Sequence, residues 1–173
     1  MSLTVIITFY NEIDLIGRCV ESVIQNLKGK QGCEILICND GDFTSDDIYG
    51  TFARPTETPV IAILNNHNKS GPGGNRNTGI EAASNEFIAF LDSDDFWLPG
   101  KITAQLSLLT RGYNFIACSY EFLNGVFVSP PASILSPHDI FLKRGLGTST
   151  ICVSKSLIGE ERFADLRYSQ DID

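Results

Sequence analysis

Three carboxylates stand within four residues at Asp92-Ser93-Asp94-Asp95, directly after the apolar run Phe87-Ile88-Ala89-Phe90-Leu91. Carboxylates this close repel one another unless a cation or a hydrogen-bond network lies between them. Oxygen ligands of this kind suit magnesium or manganese, ions that keep open positions for substrate phosphates. A solvated acidic turn that caps the following helix is the other reading of the same four residues. The Asp-x-Asp pattern is weak by itself, because Asp40-Gly41-Asp42 and Asp171-Ile172-Asp173 carry it too. Its position after a wholly apolar run sets the middle copy apart.

A second candidate is the glycine-rich loop Ser70-Gly71-Pro72-Gly73-Gly74 with Arg76 beyond it. Backbone amides and a guanidinium at a helix start can meet a phosphate, although such glycines also serve as plain turn residues. No Gly-Lys-Ser/Thr follows the loop and no GxGxxG follows the first apolar run, so neither a Walker A loop nor a dinucleotide-binding Rossmann motif is supported. Asp40 can accept the ring N–H of a pyrimidine base, or simply form a turn ahead of Gly41. His67 and His138 are far apart and read as surface or cap residues, and Phe96 and Trp97 as packing groups.

These residues need elements to position them. Leu3 to Phe9 is an apolar run without polar alternation, which predicts a strand covered on both faces; Glu34 to Cys38 reads as a second buried strand, and Val60 to Leu64 and Phe87 to Leu91 as a third and a fourth. Between them, Asn11 is placed to cap a helix with Ile13, Ile16, Val20 and Leu27 at helical spacing. Thr44 or Ser45 opens a short helix to about Phe52, and a third helix is expected around Arg76 to Ser84. Pro99 suits the first position of a fourth, running to about Thr110. Alternating strands and helices imply a parallel sheet whose ligand crevice lies beyond the carboxyl ends of the strands. Tyr10-Asn11-Glu12, Asn39-Asp40, Asn65-Asn66 and Asp92 to Asp95 each follow a strand and so converge on one edge. Further on, Tyr113 to Glu121 and Phe122 to Val128 read as strands joined at Asn124-Gly125, Ser136-Pro137 as a helix start, and Thr148 to Val153 as another strand.

The chain has 173 residues, 43% of them hydrophobic, and a formal charge of -8. That length fits one domain with a real core, and the charge argues against a nucleic-acid binder. No apolar run reaches the ~20 residues of a membrane span. The five cysteines form no CxxC pair and read as reduced, buried thiols of a cytoplasmic protein.

In order and spacing these segments resemble the family 2 glycosyltransferases. Val5 to Glu12 is similar to the family's first strand and its Pro-Thr-Tyr-Asn-Glu turn, and Glu34 to Gly41 to its second strand ending in Asp-Asp-Gly-Ser. Gly73 to Gly79 is similar to its Ala-Arg-Asn-x-Gly helix start, and Leu91 to Asp95 to its Leu-Asp-x-Asp-Asp signature. Phe163 to Arg167 and Gln170 to Asp173 resemble its Phe-Asp-x-x-Leu and Glu-Asp-x-Asp pair. Thr8 stands in place of the usual proline, Asn39 in place of the first Asp, and Gln170 in place of Glu.

The resemblance implies an α/β GT-A fold, Rossmann-like and three-layered, with a mostly parallel central sheet. It implies one domain over residues 1–173, with 1–111 binding the nucleotide-sugar and 112–173 on the acceptor side, continuing past Asp173 in the native protein. It implies a metal-dependent, inverting glycosyltransferase of bacterial surface polysaccharide or glycolipid synthesis, with weak transfer by this fragment alone. The donor would be a nucleoside-diphosphate sugar, UDP favoured, and the acceptor a saccharide or lipid-linked hydroxyl. Thr8, Tyr10, Glu12 and Asp40 would line the base and ribose pocket, Arg76 the nucleotide side, and Asp92 with Ser93 the ribose or sugar. Asp94, assisted by Asp95, would hold Mn2+ or Mg2+, and Asp171 would be the catalytic base. The expected location is cytoplasmic or peripheral at the inner face of the membrane. A catalytically silent nucleotide-binding module of the same fold is the alternative. A sugar nucleotidyltransferase ranks lower, since Tyr10-Asn11-Glu12 occupies the place of its glycine-rich loop.

Overall fold

The computed structural model describes residues 1–56, 59–129 and 146–164. Its centre is a six-stranded sheet in the order β3-β2-β1-β4-β8-β5. Strands β1 (Thr4–Phe9), β2 (Glu34–Asn39), β3 (Val60–Asn65) and β4 (Phe87–Asp92) run parallel. β8 (Ile151–Ser154) is antiparallel to both β4 and β5 (Phe115–Ala117). A separate hairpin pairs β6 (Tyr120–Glu121) with β7 (Phe127–Val128).

β1 is buried on both faces along its whole length, as its unbroken apolar run requires. Val5, Ile7 and Phe9 share one core with Ile16, Val20 and Val23 of α1 (Ile13–Leu27) and with Ile102 and Leu109 of α4 (Lys101–Leu109). Ile6 points the other way, into a second core with Leu36, Cys38, Ile88, Phe90 and Ile80 of α3 (Pro72–Ala82). Each fully buried aliphatic side chain of this kind contributes about 1.5–3 kcal/mol. α3 lies close over β1 because Gly79 carries no side chain: a Cβ there would fall 2.4 Å from Cγ2 of Ile6. Two short helices complete the described layers, α2 (Ser45–Tyr49) and α5 (Lys155–Ile158).

The expected strands and the three-layer α/β arrangement are borne out; several boundaries are not. Glu12, not Asn11, is the N-cap of α1, and no side chain bonds the cap. Thr44 does cap α2, in a reciprocal capping box with Asp47, but Gly50 follows at once and the helix stops at Tyr49. α3 starts four residues early, at Pro72, because proline suits the first turn and Gly71 takes φ 125° just before it. α4 starts late, because Gly100 is left-handed at φ 87°. Tyr113 to Glu121 breaks into β5 and β6, and Thr148–Thr150 forms a 3-10 turn ahead of β8. The Asn124-Gly125 turn is present, with Gly125 at φ 85°. Ser136-Pro137 and His138 lie outside the described residues. Cys19, Cys33, Cys38 and Cys152 are buried thiols and Cys118 is half-buried. Among the described residues no helix is long and apolar enough to cross a membrane.

Candidate functional site

Register aligns the strand tips. Thr8 of β1 stands level with Cys38 of β2 and with Asp92 of β4. The residues that follow these strands therefore emerge on one edge, with Asp40 and Asp92 flanking β1 at roughly two strand spacings, about 10 Å.

On the β4 side a hydrogen-bonded group forms. The Thr8 hydroxyl and the Arg76 guanidinium (Nη2) both donate to Oδ1 of Asp92, each at 2.7 Å. Ser93 N–H donates to the Thr8 carbonyl at 3.0 Å, and its hydroxyl to Oε2 of Glu12 at 2.9 Å. Partial burial pushes the Glu12 carboxyl up, yet the hydrogen bonds from Ser93 and from the Tyr10 and Asn11 amides hold it below its ordinary value. The Asp92 N–H donates to Oγ of Ser149, whose carbonyl accepts the Trp97 indole N–H at 3.2 Å. Asp94 and Asp95 are exposed beside this group. Partial desolvation by the neighbouring protein, then the negative charges of Asp95, Asp92 and Glu12, push the Asp94 carboxyl above its ordinary value. Burial and the same acidic turn push the Cys19 thiol well up, so it is no nucleophile at neutral pH.

On the β2 side, Asp40 accepts from three donors. Asn66 Nδ2 reaches Oδ1 at 2.8 Å, and Ser70 Oγ and Gly71 N–H reach Oδ2 at 2.9 and 2.7 Å. Gly41 lets the two strand tips meet, since a Cβ there would fall 1.7 Å from the Tyr10 carbonyl oxygen. Asn75, 2% exposed, ties the tips together by donating to the carbonyls of Phe9 and Cys38 at 3.1 and 2.7 Å. The Tyr10 ring stands 55% exposed above them.

Thr8, Glu12, Arg76, Asp92 and Ser93 are thus brought into one group, with Asp94 and Asp95 beside it and Asp40 and Tyr10 across β1. Two expectations are corrected. Arg76 is not an open guanidinium at a helix start: it lies in the second turn of α3, 2% exposed, against Asp92. The Gly71 amide is not open to a phosphate, because it donates to Asp40. Asp171 lies outside the described residues. Phe163, among the described residues before it, exchanges two backbone hydrogen bonds with the Asn77 amide and stacks edge-on against Phe90. Asn66, Asn75, Asn77 and Ser149 had no assigned role in the sequence. Asn66 carried a signal in its place after a strand, and Asn77 in being the asparagine of the Arg-Asn-x-Gly match. Phe96 is half-exposed under Arg18, while Trp97 packs as expected.

Arg76→Met is expected to lower stability by about 2–3 kcal/mol, by removing one of the two donors to Asp92 and the positive charge that faces it. The 24% side-chain exposure of Asp92 lets water share its charge, which keeps the cost at the low end for a buried pair. Urea denaturation of the two proteins measures it.

Among the described residues no three His, Cys, Asp or Glu side chains converge to hold a metal ion by themselves. The donor set nonetheless fits a divalent cation: an exposed Asp94 in a field of like charges, with ligand positions left for phosphate oxygens and water.

Residues 4–159 match the model of glycosyl transferase family 2. The chain belongs to that family. Its relatives include two Escherichia coli enzymes, each named UDP-Glc:alpha-D-GlcNAc-diphosphoundecaprenol beta-1,3-glucosyltransferase. WfaP is 34% identical over 74% of this chain and 51% of its own length. WfgD is 29% identical over 92% of this chain and 63% of its own. This family 2 chain therefore spans between half and two thirds of those relatives. S. aureus TarS 1-349, solved in complex with UDP-GlcNAc, superposes with a TM-score of 0.70 at 18% identity, over 91% of this chain and 46% of that one. The fold is accordingly the GT-A type that the family resemblance implied.

Proposed function

We propose that this family 2 chain is the donor-binding part of an inverting glycosyltransferase. It moves a sugar from a nucleoside-diphosphate sugar, UDP favoured, to a hydroxyl of a saccharide or lipid-linked acceptor in bacterial surface-glycan synthesis. The observation that carries the reading is the hydrogen-bonded group Thr8–Asp92–Arg76 and Ser93–Glu12, set on the strand edge beside exposed Asp94. The relatives named above act on UDP-glucose and a diphosphoundecaprenol-linked acceptor, which supports the donor and a place at the inner face of the membrane.

In this reading Tyr10 and Asp40 receive the base and Asp92 the ribose. Arg76 and Thr8 hold the Asp92 carboxylate in place, and Glu12 fixes Ser93 and the turn that carries Asp94. Asp94, with Asp95 beside it, would hold Mn2+ or Mg2+, which when bound neutralises charge on the departing diphosphate. Asp171, on the acceptor side, takes the proton from the attacking hydroxyl, and an ordinary carboxylate is ionised for that at neutral pH. Isothermal titration with UDP and with GDP tests the reading. UDP binding that needs Mn2+ supports it; no binding of either nucleotide, or equal affinity without metal, removes it.

A further inference from the structure

Asp40 is the only carboxylate on the β2 side of the edge among the described residues that is held by three donors, and the way it is held has a chemical result. A carboxylate offers about four acceptor positions. Oδ2 takes two donors, Ser70 Oγ and Gly71 N–H, while Oδ1 takes one, Asn66 Nδ2. The open acceptor position is therefore on Oδ1, beside the Asn66 amide.

The orientation of that amide is settled by its other end. Oδ1 of Asn66 accepts the Asn68 backbone N–H at 3.0 Å, a donor that cannot reverse its role. The Thr78 hydroxyl, 1% exposed on α3, adds a second donor at 2.8 Å. The Asn66 backbone N–H is in turn bound to the Asn39 carbonyl at 2.8 Å. Asn66 is thus pinned at three points, and its NH2 group has to face Asp40.

We propose that Asn66 is a positioning residue for Asp40, and that through it the site selects nucleobases presenting a ring N–H. Uracil, thymine and guanine have such a group next to a carbonyl. Cytosine and adenine place a bare ring nitrogen there, whose lone pair repels a carboxylate. With Oδ1 held from one side, the carboxylate cannot rotate to relieve that repulsion, so the wrong base leaves an acceptor unmatched. The inference rests on reading the site as a nucleoside-diphosphate site.

Calorimetry with UDP and with CDP, each with Mn2+, tests it on the wild type, Asn66→Asp and Thr78→Val. Asn66→Asp keeps the size and the acceptor toward Asn68 but turns the donor facing Asp40 into an acceptor. The wild type is expected to prefer UDP over CDP by about 10-fold or more, and Asn66→Asp to cut that preference below about 3-fold. Thr78→Val, which touches Asn66 and not the base, should reduce the preference to between those two values. A merely structural Asn66 would weaken UDP and CDP equally and leave their ratio unchanged, which overturns the inference while the proposed function stands. A wild type that binds neither nucleotide overturns both. If Asn66→Asp fails to fold, the ratio in Thr78→Val decides: unchanged, it overturns the proposal; reduced, it upholds it.

Discussion

Asp94→Asn is expected to weaken UDP binding in the presence of Mn2+ by about 100-fold, or roughly 2.7 kcal/mol, while leaving metal-free stability no lower than before. The two parts of this expectation come from one cause. Asp94 sits among Asp95, Asp92 and Glu12, and partial desolvation and those charges together hold its carboxyl above the ordinary value. A carboxyl shifted that way stabilises the fold only while protonated. As pH rises through its folded-state value the protonated form is lost and the ionised form becomes a cost. Asparagine removes the charge and the cost with it, so the melting temperature of the metal-free variant should rise. Mn2+ should then raise the melting temperature of the wild type and not that of the variant. A variant that loses stability and nucleotide affinity together would mark Asp94 as a structural residue.

Asp171→Asn, made in a polypeptide of the length its relatives have, should leave UDP affinity unchanged and lower transfer by about 10³-fold, near 4 kcal/mol in the barrier. Asparagine matches the shape of aspartate but has no basic oxygen, so it cannot take the acceptor's proton. Binding and turnover separate here because the donor residues lie at the ends of β1, β2 and β4, on α3 and in the turn as far as Asp95, apart from Asp171 in sequence. A transfer assay beside calorimetry on the same preparation reads both quantities. Full transfer by the variant would assign the base elsewhere.

The elements most legible in sequence are those whose side chains serve one purpose. β1, β2 and β4 are apolar because both their faces are covered, and their runs stand out without further information. Thr44 and Asp47 mark α2 in the same direct way. α3 is the opposite case. Asn75, Arg76, Asn77 and Thr78 are all buried on it, so it shows no apolar stripe, and its true start was hidden in what reads as a glycine loop. Its polar residues are inside because each has a distant partner, and partners 16, 66 and 86 positions away cannot be read from local spacing. For the same reason Asp92 and Asp40 were recognisable as site residues by type and place, whereas the orienting contacts of Arg76, Ser149 and Asn66 came into view only with the fold. Conversely, Arg76 drew attention as a phosphate contact because a charge beside glycines suggests one, and burial against Asp92 gives it a different task.

β8 is made late yet lies inside the sheet, between β4 and β5. On the ribosome, about 60 residues separate the end of β4 from the start of β8, which at about 5–20 residues per second leaves roughly 3–12 s of synthesis. Through that interval the outer rim of β4, at Phe87–Ala89, lacks the pairing it later finds in Cys152–Ser154, and it offers an apolar template to any neighbouring nascent chain. Slower translation through residues 93–150 therefore lengthens the time for which that rim stands unpaired by β8.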